Sequence, residues 1–241
     1  MALGRSDWSI YLGATTRAEI DIQMDSEIRR VAERYKWPLD LPLKTDFFRA
    51  VVKLATGMPF RTFDDSSKNG PKIDGLTRYD PATGEVKVGV NRRLLEPDSE
   101  QQLRIVLCHE GVHAMRHRIG PTPADPQMLL FGEPKVVPAV TAFRRRDLKV
   151  QPKSRIEVEA EYGSEALIMP ISLLRPIVQE FLLERDIVSQ PTVQTAAGLE
   201  LIYEVSKKFA APIEFAATRL VSLNYLGKKI YQKTLFENIG I

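Results

Sequence analysis

Apolar residues recur at helical spacing early in the chain: Ile28, Val31, Ala32 and Tyr35 within 25–36, then Phe48, Val51, Val52 and Ala55 within 45–56. Both segments predict amphipathic helices packed on a core. Between Ile73 and Asn91 the period shortens to two, with Val86, Val88 and Val90 alternating with Lys87 and Gly89. Asp80-Pro81-Ala82-Thr83-Gly84 supplies turn residues, so a β-hairpin is expected there. Ser99 opens another helix, with Gln102 at capping-box spacing and Leu103, Val106, Leu107 and Ala114 facing inward.

From 118 to 152 six prolines leave room only for short regular pieces, and a lid or insertion is expected over 118–153. Helical patterns resume over 154–169, ended by Pro170, and over 172–184. A last pair, 195–209 and 212–224, is joined by a very short turn. No internal repeat interrupts this order.

Composition narrows the picture modestly. Hydrophobic residues make up 44% and charged residues 27%, the proportions of a packed globular chain. The residues from Met1 to Gly13 lack the continuous apolar stretch of a secretory signal, and no segment is long enough to span a bilayer. The single cysteine, Cys108, excludes an internal disulfide, and cytoplasm is the expected location, with no membrane partner. The net charge is +3, and Arg144-Arg145-Arg146 is the densest basic cluster, which reads as a solvated surface before it reads as a nucleic-acid site.

The chemistry concentrates at His109-Glu110-Gly111-Val112-His113. Residues four apart on a helix share a face, so His109 and His113 can aim imidazole nitrogens at one cation. Glu110 lies beside that cation without needing to bind it, where a carboxylate can take a proton from attacking water. All three histidines of the chain fall within 108–118, which is not the distribution of chance surface residues. His117 continues the series, yet at about 1.5 Å of rise per residue it stands about 12 Å along the axis from His109. It is therefore expected to be a solvated last-turn residue. A third ligand must come from elsewhere, and Glu157, Glu161 and Glu165 share one face of the 154–169 helix while Glu159 points away. Spacing does not choose between Glu157 and Glu161.

The segments "RIVLCHEGVHAM" at 104–115 and "EVEAEYGSEALIMP" at 157–170 resemble the ImmA/IrrE family of zinc metallopeptidases, of the gluzincin type. "VSKKFAAPIEFAATRLVSLNYL" at 205–226 is similar to the helix-turn-helix-like pair that follows the family's peptidase core. The resemblance spans roughly residues 25 to 226. It implies that Glu157 is the third zinc ligand, and Glu161 is then a candidate support for a ligand histidine. It also implies a protein substrate, commonly a helix-turn-helix repressor of a mobile element or stress response, whose cleavage switches genes on.

The expected architecture is α+β: a zincin-like core of small sheet and active-site helices over 1–190, and a helical subdomain over 191–241 packed on that core. Zn²⁺ is the expected cofactor, and two imidazoles with a carboxylate also suit Mn²⁺. Tyr162, Arg116 or a residue of the 118–152 segment could stabilise an oxyanion. The strand bearing Val86, Val88 and Val90 is the candidate edge for an extended substrate. The alternative is a DNA- or protein-binding regulator with structural or regulatory zinc, reading through Glu214, Thr218, Arg219, Ser222 and Asn224. Phe215, Ala216, Ala217, Leu220, Val221 and Leu223 on the same helix favour packing over DNA reading.

Overall fold

The structure, a computed structural model, describes residues 12–64, 73–80, 83–117, 139–144 and 155–228. Among them are seven α-helices and a four-stranded sheet, an α+β arrangement. In chain order they are α1 (Ala14–Tyr35), α2 (Thr45–Thr56), β1 (Arg61–Phe63), β2 (Ile73–Tyr79), β3 (Val86–Asn91), α3 (Glu100–Arg116) and β4 (Ala139–Arg144). There follow α4 (Arg155–Ile168), α5 (Ile171–Glu184), α6 (Ala196–Phe209) and α7 (Ile213–Ser222). No single described helix is long and apolar enough to cross a membrane.

The first helix begins well before Asp25. Ile20, Met24, Ile28 and Val31 are all buried at spacings of four, four and three, one continuous apolar stripe. Asp25 looks like a helix start in sequence, but it sits within α1 and accepts from the backbone N–H and hydroxyl of Ser172, in the first turn of α5. α2 buries Phe47, Phe48, Val51, Val52 and Ala55 and ends at Gly57, whose φ of 78° is the left-handed conformation glycine adopts without penalty.

Strand order is β1-β3-β2-β4. β2 and β3 form the expected antiparallel hairpin, with Thr77 opposite Val88 and Tyr79 opposite Val86. β1 adds to β3 in parallel, Arg61 opposite Gly89, and β4 adds antiparallel to β2, Thr77 opposite Thr141. Against the expectation that Val86, Val88 and Val90 lie on an edge strand, β1 covers β3 over Gly89–Asn91, so Val90 lies between two strands, while among the described residues Val86 and Val88 pair with β2 alone. The period-two alternation that marks β3 comes from core burial of these three valines. β1 and β4 are the outer strands of this order. Of the 118–153 segment expected to form a lid, only β4 lies within the described residues.

α3 is the central helix, buried continuously from Leu103 to Ala114 against the sheet and the neighbouring helices. Its start differs from expectation: Ser99 makes no side-chain cap and closes a 3₁₀ turn, Pro97–Ser99, while Gln102 reaches towards Asp74 at 3.5 Å. Glu100 instead accepts from the Thr45 hydroxyl at 2.6 Å, tying the first turn of α3 to that of α2.

The last two helices are fastened to this assembly by two arginines. Arg104 of α3 donates to the carbonyls of Phe209 and Ala210 at the end of α6 and lies over the Phe48 ring. Arg219 of α7 is 0% exposed and pairs with Asp21 of α1 at 2.6 Å. Its Nε donates to the Met169 carbonyl, and Glu165 adds a further favourable charge. An arginine offered in the alternative reading as a DNA contact is thus an internal strut.

Candidate metal centre

His109 and His113 project from one face of α3, one turn apart, and their Nε2 atoms are 3.0 Å from each other. Glu157, in the first turn of α4, reaches both: Oε2 is 3.3 Å from His109 Nε2 and Oε1 is 3.4 Å from His113 Nε2. Among the described residues these are the His, Cys, Asp and Glu side chains that converge closely enough to share one cation, with donor atoms within 4.8 Å of one another. Both imidazoles are buried, while Glu157 keeps 31% of its side chain exposed.

This cluster fits a small divalent ion. A tetrahedral zinc with bonds of about 2.0–2.1 Å holds neighbouring donors about 3.3 Å apart, close to the three separations seen. Three lone-pair-bearing atoms packed this closely repel unless a cation or shared protons lie between them. Burial alone would raise the Glu157 carboxyl, but hydrogen bonds from and charge on His109 and His113 hold it well below the usual carboxylate range. Burial pushes the His113 imidazole down, towards the neutral form that ligates metal. Cys108, next to the cluster in sequence, is buried, and that burial pushes its thiol up, away from the thiolate a metal would take.

Glu110 is fully buried and turned to β2. Its Oε2 accepts from the Thr77 hydroxyl at 2.6 Å. Gly75, two residues earlier on β2, packs directly against α3. A Cβ there would lie 2.5 Å from Val106 Cγ1 and 2.7 Å from Glu110 Oε1, so the Glu110 carboxylate has its place because that strand position carries no side chain. Neither Thr77 nor Gly75 is marked by any motif. Only strand register brings them to Glu110.

His117 is partly buried, with its side chain only 6% exposed, where a solvated residue was expected. Its Nδ1 is 2.9 Å from His113 Nδ1 and its Nε2 is 3.4 Å from Glu159 Oε2. Burial, then the neighbouring His113, pull its imidazole down to about 4. Glu159 points away from the Glu157 face, as expected, yet it is buried there, bonded by Arg155 at 3.0 Å and by Arg116 at 3.3 Å. The pattern of α4 alone does not reveal this, because the side of α4 turned from Glu157 faces the last turn of α3 rather than solvent.

Tyr162, considered as an oxyanion donor, is fully buried, and its hydroxyl donates to Asp21 at 2.8 Å. Five residues beyond Glu157 it lies round the helix on the α1 side, with Arg219 over its ring. Arg116 donates to Gln23 and Glu159. Glu161 is partly buried on the Glu157 face, one turn on, and its backbone carbonyl accepts from Ser164. The chain matches no known family model and no curated protein, so the functional assignment rests on this geometry and on the motifs that led to it.

Proposed function

We propose that this chain is a zinc-dependent endopeptidase of ImmA/IrrE type, with His109, His113 and Glu157 as metal ligands and Glu110 as general base and then general acid. The observation that supports it most is the approach of Glu157, from a separate helix, to within 3.3 and 3.4 Å of the two Nε2 atoms. Zinc in that position supplies a Lewis acid that polarises a peptide carbonyl and makes water a competent nucleophile near neutral pH. Glu110 accepts the proton of the attacking water and returns it to the leaving amine. Thr77 holds the carboxylate in place through both transfers, and the surrounding β2–α3 packing keeps bulk water away from it. Manganese suits the same donors.

The substrate in this reading is a protein, and the family resemblance points to a helix-turn-helix repressor relieved by cleavage, in the cytoplasm. The DNA-binding alternative loses ground because α7 buries Phe215, Ala216, Ala217, Arg219 and Leu220. The test incubates the zinc-loaded protein and its Glu110→Gln variant with repressors encoded nearby. Fragments with the parent, and a drop of about 10²–10⁴-fold with the variant, are expected. No fragments from any partner, with steeply salt-dependent DNA binding by the parent, would favour a regulator.

A further inference from the structure

We infer that His117 is a positioning residue for His113: it accepts the His113 Nδ1 proton and so presents the Nε2 lone pair to the metal. This rests on the metal-centre reading and adds a residue to it.

The tautomers follow in sequence from the partners. Glu159 is held by Arg116 on one oxygen and by Arg155 on the other, so it is an ionised acceptor. His117 Nε2, 3.4 Å from it, is then the protonated nitrogen. A neutral imidazole protonated at Nε2 has a lone pair at Nδ1, and that atom lies 2.9 Å from His113 Nδ1. Only one proton fits that gap, and it belongs to His113. The opposite arrangement would place a proton on His113 Nε2, facing His109 Nε2 at 3.0 Å, and close the ligand position.

A histidine ligand commonly gives its second N–H to a carboxylate or carbonyl, which fixes the ring and raises its basicity. Here another imidazole takes that role, and the carboxylate stands one step further out. The relay runs from α4 back to α3, so the helix that supplies Glu157 also orients His113 through a second route.

The test uses the full-length protein stripped of metal and titrated with Zn²⁺ against a chromophoric chelator. It is repeated with Co²⁺ to record the ligand-field spectrum. His117→Leu removes the acceptor, and His117→Asn restores one near the Nδ1 position. His117→Leu is expected to weaken zinc binding about 10–100-fold and alter the cobalt spectrum, with His117→Asn recovering most of both. Equal affinity in His117→Leu, or no recovery in a folded His117→Asn, overturns the inference. Nitrogen-15 NMR of the zinc-loaded parent decides independently of any variant's folding: protonated His113 Nδ1 and His117 Nε2 support it, and protonated His117 Nδ1 overturns it. A parent that binds no metal fails earlier and removes the metal-centre reading with it.

Discussion

The hydroxyl of Thr77, in the middle of β2, lies 2.6 Å from Oε2 of Glu110, in the middle of α3. This bond ties the sheet to the proposed base, and a hydrogen bond to a charged group contributes about 1.5–3 kcal/mol. Thr77→Val keeps the shape and removes the donor. The expected outcome is a kcat/KM for substrate cleavage lower by about 10–100-fold with zinc content unchanged, by the same energy. Steady-state kinetics beside a metal assay separates this from loss of the ion.

Glu157 and Glu161 share a helix face, but the donor cluster includes only Glu157. Glu157→Ala is expected to lose tight zinc binding, while Glu161→Ala retains it. Metal content after dialysis measures both. Loss with Glu161→Ala alone would exchange the two roles.

Arg219 and Asp21 form a buried pair between α7 and α1. Removing one member strands the other, which costs about 3–5 kcal/mol. Arg219→Met is expected to lower stability by that order in denaturant unfolding, with loss of α7 packing. An Arg219→Met variant as stable as the parent would show the pair to be dispensable.

Asp25 links α1 to the start of α5. Burial would raise its carboxyl, but bonds from Ser172 and Arg29 prevail and hold it below the usual 3.8. A carboxyl lowered on folding contributes stability that is present above its unfolded value and lost as pH falls through its folded value. Metal-free parent is therefore expected to exceed Asp25→Asn in urea midpoint near about pH 6, with the difference shrinking towards about pH 3. A constant gap across that range would assign the effect to the variant's packing.

Much of the fold was legible because its signals are local. The β2–β3 hairpin, α2, and the helices over 155–168, 171–184, 196–209 and 213–222 follow from periodicity, turn residues and Pro170. What periodicity cannot carry is lateral order. The alternation of Val86, Val88 and Val90 says that one face is buried, yet it is silent on which strands lie beside them, so β3 reads as readily as an edge as a centre. The cluster shows the same division. His109, Glu110 and His113 are visible because one helical turn relates them, and Glu157 became distinguishable from Glu161 only through motif resemblance. Thr77, Gly75 and the His117–Glu159 contact depend on how separate elements meet, and no spacing along the chain encodes that.

The meeting of α3 with α4 also bears on how the three donors are brought together. A Cβ at Gly163 of α4 would lie 2.8 Å and 2.9 Å from the two Cγ atoms of Val112, beside His113 on α3. The two helices thus meet at a hydrogen atom where any other residue would place a Cβ carbon. That contact works as a doorstop, in one direction only: it sets how near α4 can come to α3, and a side chain at 163 would wedge the helix of Glu157 away from that of His113. The convergence of the three donors thus leans on a position that is not one of them.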